Sequence, residues 1–176
     1  MFESIETQPS NVIHNDFRSQ KRKSEAVSAS KINMRRITGL APMSRVTTNF
    51  GEVYAHVLRE GDRVRTVSGQ FQRVVRVDRL RLDEGFMSLY PEAHPIRLRK
   101  GALGPGLPRE DMMVAPYQKV RVGPPRSQSP TVFAADLLGR PFVQRTRENQ
   151  ITYTNVVLEG PGQILCEGIA VDSENG

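Results

Sequence analysis

The stretch Gln72-Arg73-Val74-Val75-Arg76-Val77-Asp78-Arg79-Leu80-Arg81-Leu82 alternates polar and apolar side chains over most of its length. Successive side chains of an extended chain point to opposite faces, so this spacing predicts a strand with one buried and one wet face. The same pattern recurs in Arg63-Val64-Arg65-Thr66-Val67, Ile96-Arg97-Leu98-Arg99 and Val120-Arg121-Val122. Turn-forming clusters separate these runs: Asn49-Phe50-Gly51-Glu52, Glu60-Gly61-Asp62, Val67-Ser68-Gly69-Gln70 and Gly123-Pro124-Pro125. The last block, Gln150–Val157 and Gln163–Ala170, reads as two strands of a hairpin around Glu159-Gly160-Pro161-Gly162. No long amphipathic helix and no solenoid-spaced repeat interrupts the body. Short strands with regular turns, with 14 Gly and 12 Pro to make them, predict an all-β sandwich or barrel-like module.

Composition narrows the chemistry. A chain of 176 residues buries roughly 70% of its unfolded surface as one domain. One Cys excludes an intramolecular disulfide and a multi-Cys zinc site, and three scattered His argue against a His-rich metal centre. Neither a metal nor a cofactor is expected. No run approaches the ~18 apolar residues of a membrane span, and no signal peptide is visible at the N-terminus. The expected setting is the cytoplasm, in solution or as part of a larger assembly. Three regions follow: a polar, basic arm over 1–38, a β body over 39–173, and a short tail over 174–176.

The arm is Ser-rich, irregular or briefly helical around Arg18–Ser28, and carries 7 Lys/Arg against 4 Asp/Glu. Such a composition buries no core of its own. Its run Lys21-Arg22-Lys23 suits an anionic surface. Its apolar residues Phe2, Ile5, Val12, Ile13 and Phe17 are the candidate anchors on a protein partner or a second copy. Residues 40–147 hold 18 Lys/Arg against 10 Asp/Glu, whereas 148–176 hold 5 acids and no base. The strand arginines fall on the wet face. They solubilise the surface, with Asp62, Asp78, Asp83 and Glu84 interspersed, or they contact phosphates.

At Gly39-Leu40-Ala41-Pro42-Met43-Ser44-Arg45-Val46-Thr47-Thr48, followed by Phe50-Gly51-Glu52-Val53 and Leu58-Arg59-Glu60-Gly61-Asp62-Arg63-Val64, the chain resembles the opening of a bacterial Hint (hedgehog/intein) domain. The resemblance continues through His94–Gly104, Gly106–Asp111, Val114–Val120, Val132–Arg140, Ile151–Leu158 and Ile164–Gly168. It covers roughly residues 38–173. It implies a compact, flattened β horseshoe. It also implies an acyl shift, in which a Cys or Ser at the first position attacks the preceding carbonyl, because an amide is a poor acyl donor. A mid-domain Thr and His would polarise the amide and protonate its nitrogen.

The chain departs from that pattern at each point. Gly39 stands at the nucleophile position, Ala115 at the Thr position and Gln118 at the His position. Met43 replaces a Gly, and Asn155 and Pro161 stand where bacterial relatives often carry His. Other reactive types have plainer readings. Thr38 is an ordinary strand residue, Ser44 a turn hydroxyl bonding local backbone, Cys166 a small hydrophobe on a strand, and Met112-Met113 core filler. His14, His56 and His94 have no visible catalytic partner, and Gly101–Gly106 is a turn rather than a phosphate loop. The first expectation is therefore a non-enzymatic, catalytically degenerate Hint-like binding or assembly module. The alternatives are a self-cleaving protein cut near Thr38-Gly39, and a nucleic-acid binder using the arm and the Arg-rich strands.

Overall fold

The long alternating stretch becomes the longest strand of the fold. In a computed structural model of the chain, residues 33–173 are described. The chain divides into two units, Met1–Asn33 and Met34–Gly176, and the second holds every element named here. Its described residues form β1 (Arg45–Thr48), β2 (Gly51–Tyr54), β3 (Arg63–Arg65), β4 (Phe71–Leu82), β5 (Ile96–Leu98), β6 (Met112–Val114), β7 (Lys119–Arg121), β8 (Thr131–Phe133), β9 (Val143–Arg145), β10 (Ile151–Leu158), β11 (Gln163–Cys166) and β12 (Ile169–Asp172). One short helix, α1 (Glu84–Leu89), starts where the Asp83 carboxylate accepts the Phe86 N–H at 2.8 Å. One sheet runs β10-β4-β3-β1-β11-β12-β7-β8 with β2 on β1, and a second runs β6-β5-β9.

Alternation does its expected work in β3 and is interrupted in β4. In β3, Val64 is fully buried between exposed Arg63 and Arg65, whereas in β4 Val74 is fully buried but Val75 is 46% exposed, because the register with β10 shifts between Val157 and Leu158. The larger core gathers Val46, Leu58, Val64, Ile96, Val120 and Ile164. A smaller one gathers Ile37, Leu82, Met87, Ala115, Ile151 and Tyr153. Ile37 is 3% exposed, so the packed unit takes in Met34–Thr38, which the sequence placed in the arm. Burying one such aliphatic side chain contributes about 2 kcal/mol. Tyr153 is fully buried and its hydroxyl donates to the Ala93 carbonyl at 2.9 Å. Burial pushes its phenol up from the ordinary value.

Two sequence expectations give way here. Gln150–Val157 and Gln163–Ala170 do not pair as a hairpin. β10 lies along β4 from Ile151↔Leu82 to Leu158↔Val74, whereas β11 pairs with β1 and β12. The long β4 offers β10 eight antiparallel partners, more than a local turn could. Nor is Gln163–Ala170 one strand. The register Cys166↔Ile169 leaves a two-residue loop, Glu167-Gly168, with φ of +47° and +81°. Positive φ at both positions is the mirror-image turn that suits a twisted hairpin. A Glu is unusual there. Its side chain holds the turn by accepting from the Arg45 Nε at 2.8 Å and Nη2 at 3.0 Å, and from the Arg45 amide. That hydrogen-bonded pairing raises the Arg45 guanidinium above its ordinary value.

Candidate functional site

The segment 39–41 threads between the two sheets. Leu40 exchanges backbone hydrogen bonds with Thr154 on β10, both at 2.9 Å, while Ala41 N–H donates to Met113 O on β6 and Ala115 N–H donates to Gly39 O. This brings the carbonyl of Thr38 and the amide of Gly39 against side chains distant in sequence. The Gly39 N–H donates to Gln118 Oε1 at 2.8 Å in a buried contact. Gln118 is 4% exposed, and its Nε2 donates to Asp172 O at 2.9 Å and Lys119 O at 3.2 Å. One N–H on one side and two carbonyls on the other fix which end of the amide is oxygen. Across the peptide, Asn155 Nδ2 donates to Thr38 O at 3.3 Å.

Gly39 is held by more than hydrogen bonds. Its φ is +116°, and a Cβ placed there would lie 2.9 Å from Thr154 O and 3.0 Å from Asn155 Oδ1. Only glycine takes this backbone at low cost. Ala115 packs its methyl into the smaller core and gives its N–H to the Gly39 carbonyl, one peptide further on. Gly39, Ala115 and Gln118 therefore do meet in space, 79 residues apart at the extremes. Asn155, which the sequence marked only as a position where relatives carry His, belongs with them. β10 also carries Thr152 and Thr154, so an Asn among them gave no signal of its own. The Asp172 carbonyl left no signal at all, because backbone groups carry none.

The arrangement presents one acceptor to the amide nitrogen and one donor to the carbonyl. Gln118 cannot deliver a proton to nitrogen near neutral pH, and it faces the N–H with an oxygen. Ser44 is not a local turn hydroxyl: its Oγ donates to Met113 O at 2.8 Å, 69 residues away, tying β6 to the start of β1. Cys166 is free and fully buried in the larger core, where desolvation pushes its thiol well up. His94 accepts the Glu148 N–H through Nδ1 at 3.0 Å, and His56 donates through Nδ1 to Pro42 O at 2.8 Å. Cavities of about 250 and 370 Å³ flank Met43 and Met113, and neither Gly39 nor Gln118 lines them. No group of three His, Cys, Asp or Glu that could hold a metal occurs among the described residues. No helix among them is long and apolar enough to cross a membrane. The arm residues Phe2, Ile5, Val12, Ile13, Phe17, Lys21, Arg22 and Lys23 lie outside the described residues, as does His14.

A sequence model of the Hint domain matches residues 38–174, from the first residue of this peptide onward. The chain belongs to the Hint-domain family. The Hint fold is seen again in solved structures. The MchDnaB-1 intein is similar at a TM-score of 0.53 and 12% identity, over 76% of this chain and 99% of that one. A DnaB intein from Synechocystis sp. PCC 6803 is similar at 0.52 and 9% identity, over 78% and 99%. At such identities the likeness concerns the fold. No curated protein matches the chain.

Proposed function

We propose that this Hint domain does not process itself and serves as a binding or assembly module. The observation that carries the reading is the Thr38–Gly39 peptide. Gly39 has no side chain to attack with, and its φ and close contacts leave no room for one. The group at the acid position, Gln118, accepts from the amide N–H instead of donating to nitrogen. Protonation of the leaving nitrogen is what amide cleavage requires. With the chemistry gone, the fold acts through its surfaces. Contacts to a protein partner or second copy are assigned to the arm anchors Phe2, Ile5, Val12, Ile13 and Phe17.

One contact favours the rival reading, in which the chain cuts itself near Thr38-Gly39. Asn155 donates to the Thr38 carbonyl, which is where an oxyanion would develop. Intact-mass measurement of the purified full chain, held for days at 37 °C with and without a thiol, separates the two. The expected result is a single species of 19.8 kDa. A fragment pair split between Thr38 and Gly39, lost in Asn155→Ala, refutes the proposal.

A further inference from the structure

The acids that a composition count sets against the strand arginines leave three of those arginines unpaired. Asp78 pairs with Arg76 at 2.8 Å. Asp62 accepts the Arg59 amide, and Asp83 caps α1. Glu84 opens that helix. Glu159 accepts the amide N–H of Arg73 and leaves its guanidinium alone. As a result, no ion pair or side-chain hydrogen bond engages the guanidinium of Arg63, Arg65 or Arg73 among the described residues.

These three arginines share one face. The β3–β4 register sets Arg63 directly opposite Arg73 and Arg65 directly opposite Phe71, all four exposed, with Val64 beneath them in the core. Directly opposed residues place their Cβ atoms about 5 Å apart, where like charges destabilise the sheet. Along β3, Arg63 and Arg65 are separated by about 7 Å. One ring, Phe71, shares the arginines' face, and a second exposed ring, Phe50, lies at the adjoining strand tip. Phe71 is 40% exposed, and Phe50, at 90%, sits at the β1–β2 tip next to Asn49, whose N–H donates to Arg63 O.

From this we infer that the β3–β4 face binds single-stranded nucleic acid. An unpaired, mutually repelling set of guanidiniums is completed by a chain of phosphates, whose spacing along an extended strand is of the same order as that of the arginines. Backbone phosphates alone would not call for rings. Exposed phenylalanines beside the cations give unpaired bases a surface to stack on, and this combination marks sequence-tolerant single-strand sites. An acidic protein surface would match the charge but gives no role to Phe50. The inference does not depend on whether the Thr38–Gly39 peptide is cut, since β3 and β4 lie on the body's side of it.

The test is fluorescence anisotropy of a 5′-labelled 20-nucleotide oligothymidine titrated with the full chain. Micromolar binding at 20 mM salt is expected. Arg63→Ser/Arg73→Ser should weaken it about tenfold or more and flatten the log–log salt slope by about 1.4, two single-strand phosphate contacts' worth. Phe50→Ser should weaken it about fivefold or more while leaving the salt slope in place. The double Arg variant should melt no lower than the parent, because it removes a like-charge pair. No binding at 20 mM salt overturns the inference. So does equal affinity for a duplex of the same length, or binding to phosphatidylserine vesicles without binding to the oligonucleotide. Retention of binding in the double Arg variant, with loss in Lys21→Ser/Arg22→Ser/Lys23→Ser, overturns it in favour of the arm.

Discussion

Replacing Gly39 by Ala asks the sealed peptide to accept one methyl group. At φ +116° an L-residue is strained, and such residues cost about 1–3 kcal/mol each. The new Cβ would also sit 2.9 Å from Thr154 O, a backbone atom, and 3.0 Å from Asn155 Oδ1. Thr154 cannot recede freely, because its carbonyl accepts from Leu40 N and its own N–H donates to Leu40 O. Giving way loosens this pair, each bond contributing about 1 kcal/mol. Together the perturbation costs about 3 kcal/mol, which for a domain of this length lowers the melting temperature by about 10 °C. Gly39→Cys should cost at least as much, since it adds a sulfur to the same crowded Cβ. Thermal and urea unfolding followed by circular dichroism, on parent and both variants at one pH, measures this. Intact mass on the same samples should show no cleavage even in Gly39→Cys, as Gln118 still faces the N–H with an acceptor. A melting shift under 2 °C in Gly39→Ala would show that the peptide is not held as described, and the steric part of the reasoning would fail with it.

Gln118→Leu strands the Gly39 N–H and the Asp172 and Lys119 carbonyls, and should destabilise by about 2–4 kcal/mol in urea titration. Gln118→His, with one donor and one acceptor, should fall between Leu and parent. Tyr153→Phe loses the bond to Ala93 O and should cost about 1 kcal/mol. The raised phenol of Tyr153 means the unfolded chain ionises first, so its contribution is full below about pH 10 and is lost as pH rises beyond that. Stability measured from pH 9 to 11 should therefore fall less steeply in Tyr153→Phe. Asp111 runs the other way. The Lys100 N–H, followed by Arg97, holds its carboxyl below the usual range, so its contribution is present above about pH 4 and lost below that. The acid limb of a pH–stability profile should be shallower in Asp111→Asn, and an unchanged limb would remove Asp111 from the account.

Period-two alternation made β3, β5 and β7 legible because each has one face in the core, so burial and pattern carry the same information, while in β4 a register shift against β10 breaks that correspondence. It could not say which strands pair. β10 and β11 follow one another through Glu159–Gly162, yet β10 joins β4 and β11 joins β1. That choice depends on the length of β4, which no local turn reports. The break at Glu167-Gly168 was hidden for a different reason. Its first residue is stabilised at positive φ by Arg45, 122 residues away, rather than by its own conformational preference. Gly39, Ala115 and Gln118 could be singled out in the sequence only through the family pattern. What the pattern left out was the direction of the hydrogen bonds, which decides the chemistry.

On the proposed reading, that direction ties the three departures into one arrangement. A reacting amide loses planarity, its nitrogen gains a proton and its carbonyl becomes an oxyanion. Here the nitrogen of the planar amide is the group best served: its N–H meets Gln118 Oε1, while the next peptide along, through the Gly39 carbonyl, is held by the Ala115 N–H. Contacts that favour the ground state over the transition state raise a barrier. Glycine at 39 allows the close approach to Thr154, and glutamine at 118 satisfies the N–H that this approach buries. Alanine at 115 leaves no hydroxyl in the apolar cluster to compete. On this reading a thiol restored at position 39 would meet a peptide that its surroundings hold in the unreactive form. Recovering cleavage would require reversing the donor and acceptor order around it, not only replacing the missing side chain.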